Sequence, residues 1–152
     1  MPTARDGVAA AAGQNGRIYV FGGATAGFSR DTAEEYDPQT DTWRALRAMP
    51  TPREGAAAVT GADGRIYVFG GYNYASGWLA TVEAYDPATD SWTTCASLTL
   101  DRGGLAGVRS AGSAFYALGG ARSSGQEYVA TVEVAQFPLP LKAYLPLIFR
   151  GG

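Results

Sequence analysis

The stretch GRIYVFGG occupies residues 16–23, and the same eight residues return unchanged at 64–71. Two further pairs follow the same period: MPTARDGVAAAA (1–12) with MPTPREGAAAV (49–59), and YDPQTDTW (36–43) with YDPATDSW (85–92). A degenerate third copy runs through LDRGGLAGV (100–108), SAFYALGG (113–120) and TVEV (131–134). A fixed period of this length indicates a repeat architecture, in which one unit decides the fold.

Each unit is predicted to form four short strands, which in the first unit span 8–12, 17–22, 33–36 and 42–46. Asn15-Gly16 and Asp63-Gly64 predict a two-residue hairpin turn with positive φ at both central positions. Asp37-Pro38 and Asp86-Pro87 predict the later turn, because the carboxylate accepts from nearby backbone amides and proline presets φ. The sequence therefore predicts an all-β protein.

The octamer also indicates how the units pack. In IYVFGG, Ile18 and Val20 point to one side of the strand while Tyr19 and Phe21 point to the other, so both sides are apolar. A half-exposed antiparallel sheet alternates apolar with polar residues instead. Each unit should therefore lie between two other layers, and the paired glycines that follow should leave room for a close backbone approach.

Composition excludes several functions. A net charge of −2 gives no basic surface for nucleic acid. The chain has no histidine and a single cysteine, Cys95, so zinc or copper sites and histidine-dependent catalysis are not expected. The acids mostly recur with the repeat, which favours a structural role over a glycosidase pair. We expect no cofactor, no metal and no enzymatic activity.

The repeats resemble those of the kelch family. The resemblance rests on the apolar run ending in Gly-Gly, on a Tyr and a Trp with six residues between them, and on recurrent charged positions. Its residues are Tyr36 with Trp43, Tyr85 with Trp92, the acids Glu34, Glu83 and Glu133, and the arginines Arg5, Arg53 and Arg102. It implies a β-propeller with one blade per unit, and it covers residues 1 to about 138.

The expected organisation is blade 1 at 1–48, blade 2 at 49–98, a degenerate blade 3 at 99–137 and a Pro-rich apolar tail at 138–152. Three blades make a partial propeller or half-ring, since closed propellers need four to eight. Three remedies stay open: further blades on a longer parent protein, favoured because Met1 matches Met49 inside the repeat; homodimerisation of two half-rings; or another partner that caps the arc.

The resemblance to this family implies a protein- or peptide-binding module that uses the loops after each Gly-Gly and the segments before each first strand. Aromatic and arginine side chains that depart from the repeat are the best anchor candidates. The candidates are Arg30, Tyr72, Asn73, Tyr74, Trp78 and Arg122, together with the periodic Arg5, Arg53 and Arg102. The periodic arginines equally suit a structural role, and Trp78 equally suits packing onto its own blade.

The alternative function is a carbohydrate-binding or carbohydrate-acting propeller, because Tyr72, Tyr74 and Trp78 also suit stacking on sugars. The tail has three prolines that oppose a regular strand, and its apolar residues could cover the last blade. It also resembles the Leu-Pro-Leu endings of some exported bacterial repeat proteins. The sequence shows no signal peptide and no membrane span, and it leaves localisation open.

Overall fold

The computed structural model describes residues 1–112, 114–122 and 127–136. Over these residues the protein is all-β, without a helix, and its main sheets are antiparallel units in chain order. The predicted fold class, with two four-stranded blades and an incomplete third, is confirmed. The tail predicted at 138–152 lies outside the described residues.

Blade 1 is a four-stranded sheet with a small hairpin inserted between its second and third strands. The sheet order is β1-β2-β5-β6, so consecutive long strands are neighbours. The strands are β1 (Ala9–Ala12), β2 (Ile18–Phe21), β3 (Ala24–Thr25), β4 (Phe28–Ser29), β5 (Ala33–Asp37) and β6 (Thr42–Ala45).

Blades 2 and 3 repeat this plan, and blade 3 has three long strands within the described residues. The strands of blade 2 are β7 (Ala57–Thr60), β8 (Ile66–Phe69), β9 (Tyr72–Asn73), β10 (Gly77–Trp78), β11 (Val82–Asp86) and β12 (Ser91–Cys95). Those of blade 3 are β13 (Ala106–Arg109), β14 (Ala114–Leu118), β15 (Ala121–Arg122), β16 (Glu127–Tyr128) and β17 (Val132–Gln136). The first strand of blade 2, β7, contacts both β1 and β13, so the blades form an arc.

Two apolar cores lie between the blades rather than inside any one of them. Between blades 1 and 2, Tyr19 and Phe21 pack on Tyr85 and Trp92. Between blades 2 and 3, Phe69 meets Phe115 with ring centroids 4.8 Å apart. Burial therefore depends on stacking of neighbouring units, as repeat proteins require.

The octamer behaves differently in the two blades. In blade 2, all four residues of β8 are at most 2% exposed, which confirms the prediction of a strand covered on both sides. In blade 1, Tyr19 is fully buried but Ile18 is 39% exposed. The difference arises because Ile18 points away from blade 2.

The Gly-Gly pair provides the close approach that the sequence predicted. Gly70 and Gly71 have φ of +67° and +101°. A Cβ added to Gly70 would lie 2.6 Å from the carbonyl oxygen of Arg102. That oxygen instead accepts a 2.7 Å hydrogen bond from the amide of Gly71, which ties blade 2 to the segment entering blade 3.

A series of backbone hydrogen bonds, which we call the backbone relay, links the three blades through glycines that precede the first strands. The amide of Gly55 donates to the carbonyl of Gly7, and the amide of Gly104 donates to the carbonyl of Gly55, each at 2.8 Å. All three glycines have φ near +60°. The relay therefore repeats one contact from blade to blade.

The prediction of two-residue turns after the first strands is wrong. The amide of Gly13 donates to the carbonyl of Arg17, so the loop between them has three residues. Positive φ occurs at Gly16 but not at Asn15. The side chain of Asn15 accepts from the amide of Arg17 and so fixes the turn. Asp63 and Gly64 repeat this geometry, which is a three-residue hairpin ending in a left-handed glycine.

The later turns follow the prediction. The carboxylates of Asp37 and Asp86 each accept from the backbone amide two residues ahead, at 2.9 Å. Asp41 and Asp90 then adopt the left-handed conformation, with φ of +52° and +49°. Asp is one of the few side chains that tolerate this region.

Candidate functional site

One end of the arc collects the three inserted hairpins, β3–β4, β9–β10 and β15–β16, beside the segments that lead into β1, β7 and β13. We call this end the loop face. The hairpins and lead segments meet through single bridges: Asp6 with Ala24, Glu54 with Tyr72, and Gly103 with Ala121. This is the end at which the sequence predicted binding loops.

An aromatic cluster of Tyr72, Tyr74 and Trp78 stands on the hairpin of blade 2. The ring of Tyr72 meets that of Tyr74 at 5.4 Å and that of Trp78 at 5.1 Å, both in edge-to-face geometry. Tyr74 is 51% exposed, whereas Tyr72 and Trp78 are partly buried. The cluster therefore offers one open ring supported by two packed ones.

Asn73 holds this hairpin in place. Its Oδ1 accepts from the amides of Ala75 and Ser76, and its Nδ2 donates to the carbonyl of Pro52 at 2.7 Å. Ser29 of the neighbouring hairpin adds hydrogen bonds to the backbone of Tyr72 and Tyr74. The predicted site residue Asn73 thus positions the aromatic rings by bonds within the protein.

Trp78 does not simply fold onto its own blade. Besides Tyr72, it covers Gly103 in the segment leading into blade 3, where an added Cβ would lie 2.7 Å from the Cζ3 of the indole. Gly103 takes the place that Asp6 and Glu54 occupy in the first two units. The indole therefore fits because this position lacks a side chain.

Two carboxylates, those of Asp6 and Glu54, lie beside Tyr74. The charge of Glu54 raises the pKa of Tyr74 above its ordinary value, and the charge of Asp6 acts in the same direction. A Cβ built at Gly7 would contact the Cβ of Glu54 at 3.3 Å, so the two acidic segments are adjacent. The loop face thus combines an open aromatic ring with local negative charge.

The sequence alone does not single out Asp6 or Glu54. Both directly follow the periodic arginines, in RDG and REG, and this periodicity concealed them among structural acids. Their signal was the break of the pattern in the third unit, where the corresponding segment reads RGG.

The periodic arginines lie inside the blades. The side chains of Arg5, Arg53 and Arg102 are all 0% exposed, and each pairs with a glutamate of its own blade at 2.6–2.9 Å. Each also donates to the carbonyl of the first glycine of its Gly-Gly pair. Because no ligand could reach them without opening the blade, we leave these three residues out of the surface proposed below.

The other two predicted arginines differ in environment. Arg122 lies 3.0 Å from Asp101 and 3.9 Å from Glu127, so its charge is partly neutralised on the hairpin of blade 3. Arg30 is exposed on the hairpin of blade 1 and has no ion pair with the described part of the chain. The structure therefore does not gather the predicted arginines into one cluster.

The described residues hold no group of three or more His, Cys, Asp or Glu side chains suited to a metal ion. Burial raises the pKa of Cys95, which disfavours a reactive thiolate at neutral pH. No helix among the described residues has the length and hydropathy needed to span a membrane.

An arc of antiparallel blades with its loops gathered at one end is the architecture of a β-propeller segment. Residues 1–138 match the family model of the KLHDC2/KLHL20/DRC7 kelch-repeats domain, so the protein belongs to the kelch-repeat family. The predicted resemblance is confirmed. Domains of this family generally mediate interactions with proteins.

A solved structure described as "Structure of YjhT" is similar to this chain, with a TM-score of 0.75 and 21% sequence identity. The alignment covers 94% of this chain and 52% of that one, so this protein spans about half the length of YjhT. At this identity the similarity concerns the fold alone. A comparison with curated proteins gives no match.

Proposed function

We propose that this protein is a non-enzymatic binding module whose loop face receives a peptide or an exposed protein segment. The observation that carries the proposal is the cluster of Tyr72, Tyr74 and Trp78, with Tyr74 half exposed beside two carboxylates. Tyr and Trp are the residue types that most often dominate binding energy. Family membership supports the same class of function.

The cluster is preorganised for binding. Asn73 fixes the turn of the hairpin, Ser29 holds its backbone from the neighbouring blade, and Trp78 is seated over Gly103. Rings that are already packed lose little side-chain entropy when a ligand arrives. A ligand that contacts Tyr74 would therefore bind at a low cost in side-chain entropy.

The local charge indicates the chemistry of the ligand. Glu54 and Asp6 lie close enough to the exposed ring to raise the pKa of Tyr74, while the buried arginines are paired with glutamates within the blades. An aromatic ring next to carboxylates suits a lysine or arginine side chain, which gains both ion pairing and a cation–π contact. We therefore infer a preference for peptides that carry a basic residue.

The test is a peptide array in which each sequence appears in lysine-, glutamine- and glutamate-containing versions. We expect binding to the lysine versions, and a loss of about 30-fold or more in Tyr74→Ala and Trp78→Ala, the size of a hot spot of about 2 kcal/mol. Tyr128→Ala is the matched control, because Tyr128 is 83% exposed on the hairpin of blade 3. Unchanged binding in both aromatic variants contradicts the proposal.

Carbohydrate binding is the second candidate, because an exposed tyrosine ring next to a carboxylate also suits a sugar, with the ring under its apolar face and the acid on its hydroxyls. The same variants applied to a glycan array separate the two functions. Glycan binding that is lost in Tyr74→Ala, together with no binding to any peptide on the peptide array, favours the carbohydrate ligand.

A further inference from the structure

Blade 1 has an apolar face turned away from blade 2, which we call the leading face. Strand register places on it Ala10, Ala12, Ile18, Val20, Glu34, Tyr36, Trp43 and Ala45. At its centre the rings of Tyr36 and Trp43 pack 5.0 Å apart, as the equivalent Tyr85 and Trp92 do at 5.1 Å. The leading face therefore has the same Tyr–Trp pair as the interface between blades 1 and 2, where blade 1 already packs against it.

Between blades 1 and 2, the Tyr–Trp pair contacts two rings of blade 1, and Tyr19 lies 5.9 Å from Tyr85. Phe21 lies 5.8 Å from Tyr85 and 5.4 Å from Trp92. On the leading face, Tyr36 and Trp43 have no such partner among the described residues, and Ile18 is 39% exposed where its equivalent Ile66 is fully buried. The surface is thus shaped for a further blade.

Blade 3 presents the complementary surface, which we call the trailing face. Phe115 and Ala117 point into the core shared with blade 2, so the alternate residues of β14 point away from it. Strand register places on the trailing face Ala106, Val108, Ala114, Tyr116, Leu118, Val132 and Val134. These seven residues are apolar or aromatic, Leu118 takes the position of Phe21 in the repeat, and the polar Gln136 is the register partner of Ala114 at the end of the sheet.

The backbone relay runs in the same direction. Its bonds pass from Gly55 to Gly7 and from Gly104 to Gly55, always from the amide of one blade to the carbonyl of the preceding one. Continued by one step, the relay would join the amide of Gly7 in one arc to the carbonyl of Gly104 in another. The backbone relay and the two apolar faces would therefore fit the same neighbouring blade in the same orientation.

We propose that two copies of this chain close into a six-blade ring, in which the leading face of each copy packs on the trailing face of the other. Leu118 of the partner subunit then contacts Tyr36 and Trp43, as Phe21 contacts Tyr85 and Trp92. Two arcs of this size would make a ring of about the size of the YjhT kelch propeller, of which one arc matches 52%. A two-fold axis makes the two junctions identical, so no open end is left.

The test is the solution mass of the chain by light scattering over a wide concentration range. We expect twice 15.8 kDa for the wild type. Ile18→Asp and Val108→Lys should each give monomers, because a charge would be buried at both junctions. Both positions are more than a third exposed in the single chain, so the variants should keep their β-sheet circular dichroism.

Mixing the two variants provides the sharper measurement. The equivalent residues Val59 and Phe115 share the core between blades 2 and 3, so Val108 of one copy and Ile18 of the other would meet at one junction. A mixture of Ile18→Asp and Val108→Lys should restore a dimer, because one junction then pairs the opposite charges and the other is wild type. The control Phe28→Asp changes a 66% exposed residue of the loop face and should remain dimeric.

The proposal is overturned by a wild type that stays monomeric at every concentration. It is equally overturned by a dimer that survives in both single variants, which would use another surface. Growth into larger species with concentration also contradicts it, because an arc that does not close would polymerise.

Discussion

The guanidinium of Arg53 lies 2.9 Å from a carboxylate oxygen of Glu83, and both side chains are shut off from solvent. The same guanidinium donates to the carbonyls of Gly70 and Thr81, at 2.9 and 3.0 Å. One buried cation therefore joins the segment entering blade 2 to the ends of its second and third strands. Blade 3 repeats this arrangement, and blade 1 repeats the ion pair and the bond to the first glycine carbonyl.

Replacing this cation should strongly destabilise the protein. We expect Arg53→Met to lower the free energy of unfolding by about 3–5 kcal/mol, because the carboxylate of Glu83 would be left buried without a compensating positive charge. Urea denaturation measures the loss. Arg122→Met is the control, since its ion pair is partly exposed and should be worth about 0–1 kcal/mol.

The double variant Arg53→Met with Glu83→Leu separates the charge from the packing. Removing both charges should recover a substantial part of the lost stability, because the buried carboxylate is gone. If the double variant is as unstable as Arg53→Met alone, the loss comes from the packing and the backbone hydrogen bonds of Arg53 instead.

Two glycines allow backbone strain to be compared with steric conflict. Gly77 has φ of +86° and open space around it, so Gly77→Ala should cost about 1–2 kcal/mol from the left-handed conformation alone. Gly70 has a similar φ, but its new Cβ would press on the carbonyl of Arg102. Gly70→Ala should therefore cost clearly more in thermal or urea unfolding, and equal losses would contradict the close approach.

Asp90 should make the junction between blades 1 and 2 sensitive to acid. The amide of Arg47 donates to its carboxylate and lowers its pKa below the ordinary 3.8, with a further bond from the hydroxyl of Tyr85 and a partial opposing effect of burial. A depressed pKa means that the stabilisation is present above the pKa of the unfolded chain. It is lost as the pH falls below about 4 and through the folded pKa.

Asp90→Asn removes this titration and retains a side chain that tolerates φ of +49°. We expect a shallower fall of unfolding free energy at acid pH than in the wild type. Asp41→Asn is the matched control, because Asp41 has the same turn conformation and bonds to Tyr36 of its own blade. An identical acid profile in Asp90→Asn and wild type would refute the assignment.

Gly103→Ala tests the packing of the Trp78 indole against residue 103 without altering an aromatic residue. The backbone of Gly103 is not in the left-handed region, so alanine is acceptable there, but its Cβ would reach the indole. The indole should move, with a changed near-ultraviolet circular dichroism signal and weaker peptide binding. Gly112→Ala is a control, since Gly112 also lies outside the left-handed region and the nearest atom to its added Cβ is 3.8 Å away.

Much of the fold could be predicted from the repeat. The period defined the units, and the apolar residues on both sides of IYVF predicted stacked sheets, as the full burial of Ile66 on one side and of Phe69 on the other shows. The turn after the first strand could not be predicted in the same way. Asn-Gly and Asp-Gly suit two turn types, and the side-chain bond of Asn15 to the amide of Arg17 selects the longer one.

The candidate site was predicted in part. Aromatic residues that break the repeat do meet on one hairpin, as Tyr72 and Trp78 show. The roles of the charged residues depended on contacts between segments distant in sequence. Arg53 is 30 residues from Glu83, and Glu54 reaches Tyr74 because a single bridge joins their segments. Periodicity identifies such residues as repeated without telling which of them faces solvent.

The glycine relay has a consequence for how such proteins arise. Each unit offers its neighbours the same amide on one side and the same carbonyl on the other, so a duplicated gene segment would encode a unit that fits at once on its parent. Lengthening the array then requires no newly evolved contact. The identical octamers at 16–23 and 64–71 are what recent copying of such a self-compatible unit would leave behind.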